Sequence, residues 1–153
     1  MSGPYIITQP KLCVAGLWRA VIKHPGLPAL HMGIVSFEKI TKAFAEYLAD
    51  GGSIVDFLYI GSGTDATAES NDDTTLMAEV ETRVLGQASN PSAYVVRITG
   101  TQTYTSSRSI NEVGCFTASS GGTLCDRGVV GPFPVVSGTT ISWAFDATVG
   151  YEN

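Results

Sequence analysis

Charge is scarce in this chain. Only 15% of its 153 residues are charged, against about 25% in an average soluble domain. The nine Lys and Arg are scattered from Lys11 to Arg127 without a basic run, and the net charge is −5. Nucleic-acid binding draws on a concentrated basic face, so nucleic acid is excluded as an expected partner. Long apolar runs are also missing. No stretch approaches the roughly 18 residues of a membrane-spanning helix, and no membrane partner is expected. Met1-Ser2-Gly3-Pro4-Tyr5 has no positive region leading into an apolar core, so it does not read as a secretory signal. Low charge has two readings. Part of the surface is covered by another chain, or Ser and Thr supply the surface polarity of a β domain.

Cysteine is sparse and odd in number: Cys13, Cys115 and Cys125. An odd count without a signal fits reduced thiols of a cytoplasmic protein. If a hairpin centres near Ser120, Cys115 and Cys125 oppose each other on neighbouring strands. A bridge is sterically allowed there but not required, and both states stay open. No Cys-x-x-Cys spacing occurs, so zinc-ribbon and thioredoxin chemistry have no motif to stand on.

Catalytic signatures are absent too. The only histidines, His24 and His31, lie in the N-terminal segment, and no Gly-x-Ser-x-Gly elbow occurs. Gly61-Ser62-Gly63-Thr64 follows an apolar run but lacks the Gly-Lys-Ser/Thr ending of a phosphate loop, and reads as a turn leaving a strand. Asp65, Glu69, Asn71, Asp72 and Asp73 form an acidic loop without the ligand spacing of a calcium hand. No metal, no cofactor and no enzymatic activity are expected. Glu112 is the one acid that merits scrutiny. It sits amid apolar strand residues, and its simplest role is structural, bonded to backbone amides or to Arg127 across the hairpin.

What is present is β patterning. Ile141, Trp143, Phe145 and Ala147 alternate with Ser142, Ala144, Asp146 and Thr148, the period-two signature of a strand with one buried face. Ser109–Phe116 and Thr123–Val130 flank Thr117-Ala118-Ser119-Ser120-Gly121-Gly122, which is turn chemistry. Further strands are expected at Ile54–Ile60 and from Tyr94 towards Tyr104, and Pro132 and Pro134 mark an irregular crossing or an edge. Phe37, Ile40, Phe44, Tyr47 and Leu48 follow a helical period over Ser36–Asp50, with Ser36 as N-cap. A second short helix is expected over Thr74–Glu81. Five or six strands and these helices predict a mostly β (α+β) fold, an antiparallel β-sandwich or open barrel. Residues 33–153 form the domain. Residues 1–32, broken by Pro4, Pro10, Pro25 and Pro28, carry the apolar pieces Tyr5-Ile6-Ile7 and Leu12–Trp18. They are expected as an extended arm, with Tyr5, Ile6, Ile7 and Trp18 as contact residues, packed on the domain or on a neighbour.

The ordered series Phe57–Thr64, Thr74–Glu81, Ile110–Phe116, Ser120–Arg127 and Gly138–Trp143 resembles small virion proteins of tailed bacteriophages. It is also similar to the N-terminal domains of phage tail-collar fibre proteins. Their shared pattern is a Gly-rich turn, a Thr-x-Leu-x-x-Glu helix start, a Glu-x-Gly-Leu-Phe strand, a Gly-Gly-x-Leu-x-x-Arg hairpin and a closing Trp strand. The likeness spans about residues 33–149, and Cys115 replaces the usual Leu. It implies a non-enzymatic virion component, assembled in the host cytoplasm. The short chain favours a capsid decoration (cement) protein, a homotrimer bound to the major capsid protein. The alternatives are a tail, collar or neck component, or a receptor- or glycan-binding module.

Overall fold

A computed structural model describes residues 11–38 and 40–152. Among these residues, nine strands form two antiparallel sheets: β1 Lys11–Lys23, β2 Leu30–Glu38, β3 Tyr59–Gly63, β4 Glu79–Leu85, β5 Gln87–Ser92, β6 Val95–Thr103, β7 Arg108–Phe116, β8 Leu124–Val135 and β9 Thr140–Glu152. One sheet has the order β2-β1-β9-β6-β5 and the other β4-β3-β7-β8. The result is a β-sandwich, as the alternation predicts, with more strands than the five or six expected.

The core lies between the inward faces of the two sheets. Period-two alternation on β9 places Ile141, Trp143, Phe145 and Ala147 inside, each at most 1% exposed. β1 runs antiparallel to β9 from Lys11↔Glu152 to Lys23↔Thr140. Trp18 lies directly opposite Phe145, their ring centroids 5.0 Å apart, and meets Trp143 edge-on at 6.1 Å. Such offset and edge contacts add to the area these rings bury.

This pairing corrects the expected domain boundary. Residues 11–32 are not an arm outside the domain. β1 is an interior strand of the larger sheet, Trp18 is fully buried, and the division at residue 32 falls within β2. Prolines suggested a break, but Pro25 and Pro28 only mark the β1–β2 connection. Tyr5, Ile6 and Ile7 lie outside the described residues.

The helices also differ from expectation. α1 spans Lys42–Ala49, capped by Thr41, whose hydroxyl accepts the Phe44 N–H. Ser36 and Phe37 instead pair with Trp18 and Leu17 of β1, and Phe37 is 74% exposed. Phe44 is buried beneath α1, and its ring meets Phe57 edge-on at 4.9 Å. The short second helix is a 3-10 turn at Ile54–Asp56, within a stretch that reads as strand, so that strand begins only at Tyr59. No helix forms over Thr74–Glu81. The Met77 and Ala78 N–H groups go to the Glu112 carboxylate rather than into a helical ladder. Pro132 and Pro134 do lie on an edge strand, β8. Among the described residues no helix is long and apolar enough to cross a membrane.

Deleting residues 1–32 removes β1 and with it Trp18. The truncated chain is expected to lose its cooperative thermal transition in calorimetry. Trp18→Ala in the full chain should cost about 3–5 kcal/mol, read from denaturant unfolding.

Candidate functional site

The four-stranded sheet is buried on both faces. Ile60, Val113 and Cys115 belong to the main core, while Phe116, Leu124 and Leu76 form a second apolar cluster with Tyr59 packed on it. The second face bears Gly61, Gly63, Glu112, Gly114 and Arg127, because Gly61 pairs with Gly114, Gly63 with Glu112 and Gly114 with Arg127. Chain between β3 and β4 covers that face.

Gly61 and Gly63 are therefore strand residues rather than a turn, and their lack of a side chain is structural. A Cβ on Gly63 would lie 2.2 Å from Glu112 Oε1 and 2.4 Å from the Ala78 carbonyl. One on Gly61 would lie 2.5 Å from Glu79 Oε2. The glycines make the floor on which the covering segment and its polar contacts rest.

Glu112 and Arg127 meet on that floor. Register places Glu112 opposite Val129 and Arg127 opposite Gly114, so the pair is diagonal across β7 and β8. Arg127 Nε donates to Glu112 Oε2 at 2.6 Å with both side chains fully buried. Arg127 also donates to the Thr67 carbonyl at 2.9 Å and to Asp65 Oδ1 at 3.2 Å, and its Nη1 lies 3.5 Å from Asp73 Oδ2. Glu112 accepts the N–H groups of Met77 at 3.0 Å and Ala78 at 2.7 Å. Asp73 accepts the Ser70 N–H. The Asp65 carboxyl is held below its usual range by hydrogen bonds from Thr67, with the Arg127 charge adding to them. The contacts of Arg127 with Asp65, Thr67 and Asp73 and of Glu112 with Met77 and Ala78 tie residues 65–78 to the sheet. The carboxylate is saturated by donors, which is the chemistry of a clasp rather than of a general acid or base.

Arg83 is a residue that sequence patterning passed over. Its guanidinium lies 3.3 Å from the centroid of the Phe116 ring, pairs with Glu79 at 2.8 Å, and donates to the Ala118 and Gly121 carbonyls of the β7–β8 turn. Cation–π contact and paired charge let a guanidinium sit at 8% exposure.

The other ionic cluster lies on the outward face of the larger sheet. Asp146 receives two hydrogen bonds from Arg97, at 2.6 and 2.8 Å, and one from Arg19. Burial alone would raise this carboxyl. The bonds from Arg97 and Arg19, with their charges, outweigh burial and hold it below the usual carboxylate range. Tyr104, buried in the core with Ser62 and Gln102 as hydrogen-bond partners, is pushed up to about 12 by burial. It stays a neutral phenol.

Other sequence candidates do not converge. His24 Nδ1 is 3.1 Å from Thr139 Oγ1, while His31 is exposed on β2. Trp18 lies in the core, remote from the clasp face. Cys115 and Cys125 are both buried and are not joined by a disulfide.

Removing one partner of a buried ion pair strands the other. Arg127→Met and Glu112→Gln are each expected to cost about 3–5 kcal/mol, and the double variant less than their sum, in a denaturant-unfolding cycle. At Asp146 the sign follows from linkage. A depressed folded value adds stability that is present above the unfolded value and lost as pH falls through the folded one. Asp146→Asn should lower Tm near neutrality and flatten the fall of Tm in acid, measured by calorimetry across pH.

The chain matches no protein-family model, no curated protein and no solved structure.

Proposed function

We propose that this protein is a non-enzymatic structural subunit of a bacteriophage particle, a capsid decoration protein that binds the major capsid protein. The observation that carries an assembly role is the apolar surface at the β2 edge. β2 is an outer strand of the larger sheet. Phe37 and Ile34 pair with Leu17 and Arg19, which flank the inward-facing Trp18, so both project from the outward face. They are 74% and 45% exposed, Met32 and Leu30 of the same strand are 43% and 50% exposed, and Leu27 in the β1–β2 connection is 57% exposed. An exposed edge strand carrying large apolar side chains is a template for another chain. The order of motifs from Phe57 to Trp143 supports the virion setting, and the capsid protein is the occupant that reading names.

The clasp fits the same role. It uses two fully buried charges, Glu112 and Arg127, to hold residues 65–78 against the sheet. Homotrimer formation belongs to this proposal as its expected assembly state.

Phe37→Glu combined with Ile34→Thr changes exposed positions, where substitutions usually shift stability by no more than about 0.5 kcal/mol. The variant is expected to fold with an unchanged near-ultraviolet spectrum and to stop co-sedimenting with shells that lack this protein. Quantification in purified particles is expected to show amounts comparable with the major shell protein. A level comparable with tail proteins would instead favour a collar or neck component. Retained co-sedimentation of the variant would remove the β2 edge as the docking surface.

A further inference from the structure

We propose that Cys115, Cys125 and Asp126 form a binding site for a thiophilic divalent cation of the zinc class, on the core side of the β7–β8 hairpin. The proposal is independent of the virion reading.

The site is built by an irregularity in strand pairing. Gly114 pairs with Arg127 and Phe116 with Leu124, so Cys115 alone stands opposite both Cys125 and Asp126. Two residues against one is a β-bulge, a device that re-aims side chains. In an unbroken strand, neighbours Cys125 and Asp126 would point to opposite faces. With the extra residue, one donor atom from each of the three side chains lies within 4.8 Å of the other two, and all three residues are buried. Cys115 Sγ is 4.0 Å from Asp126 Oδ1.

The surroundings hold the carboxylate in place. Trp18 Nε1 donates to Asp126 Oδ1 at 3.3 Å, an outer contact of the kind that orients metal ligands. Across the core Gly16 leaves room. A Cβ there would lie 3.2 Å from Asp126 Oδ2 and 2.7 Å from the Phe145 ring. A cavity of about 460 Å³, lined by Val14, Ile40, Thr41, Phe44, Leu48 and Asn71 among others, abuts the ligand-bearing strand. Ile40 forms a backbone bridge to Asp126, and the Thr41 N–H donates to the Cys125 carbonyl at 3.1 Å.

Two sulfurs and one carboxylate oxygen select zinc-like ions over hard cations such as magnesium or calcium. Tetrahedral zinc holds its ligand atoms roughly 3.5–3.8 Å apart, so closing the site takes side-chain movements of about 1 Å. Binding ionises both thiols. The ion exchanges two thiol protons for two sulfur bonds and adds one carboxylate bond, and the two protons leave to solvent.

Cobalt(II), added to the reduced, metal-free full chain, is the probe. The expected result is a thiolate-to-cobalt charge-transfer band that saturates at one ion per chain and is displaced by zinc, with two protons released. Cys115→Val and Asp126→Asn should each weaken or abolish it. Zinc should also slow alkylation of both thiols in the wild-type chain, a readout that survives if a variant fails to fold. A folded, reduced wild-type chain with no such band, or a band that persists in Cys125→Ala, would overturn the site.

Discussion

The Glu112–Arg127 ion pair decides the architecture of the smaller sheet. Two opposite charges without solvent contact are tolerable only when their remaining donors and acceptors are also satisfied. Here the satisfying groups come from one covering segment: the carbonyl of Thr67, the carboxylates of Asp65 and Asp73, and the N–H groups of Met77 and Ala78. The segment therefore lies where the ion pair needs it. Leu76 is carried along into the apolar cluster with Phe116 and Leu124. Gly61 and Gly63 follow from the same demand, since any larger residue would fill the space the carboxylates occupy.

The larger sheet rests on a different constraint, the antiparallel register of β1 with β9. It sets Trp18 against Phe145 and Ala20 against Trp143, alternating large and small so that two indoles and a phenyl ring share one layer. The same register leaves Arg19 and Asp146 on the outward face, where Arg97 from β6 completes the charge cluster. One pairing thus determines both the apolar core and the polar outer surface.

Legibility in the sequence followed locality. The alternation of β9 and the hairpin from β7 to β8 were readable because their signals lie within a few residues. The Glu112–Arg127 pair was readable because the hairpin brings its partners close along the chain. β1 was not. Its main partner lies at the opposite end of the sequence, and the surrounding prolines suggested a loose arm. The helix expected over Thr74–Glu81 runs into the start of β4 at Glu79, because acids ahead of Thr74 resemble a helix cap. The Glu112 carboxylate, which captures the Met77 and Ala78 amides, decided it from outside the segment. The Cys115, Cys125 and Asp126 grouping was hidden for a related reason. It depends on a bulge, and a pattern of alternating positions assigns adjacent residues to opposite faces.

The two sheets differ in what lies over their outward faces, and that difference bears on any partner. The smaller sheet is covered by its own chain, clasped through Arg127 and, at the β7–β8 turn, through Arg83. A second protein there would have to displace buried, charge-assisted hydrogen bonds, which are stronger than neutral ones. Among the described residues, the larger sheet bears side chains outward: Arg19, Asp146 and Arg97 at its centre, with Ile34 and Phe37 at the β2 edge. Docking there would bury apolar surface, which favours association. It would also shield the Asp146 cluster from water and strengthen its attraction. Both effects act in the same direction and on the same face, so the larger sheet is the side on which a partner has something to gain.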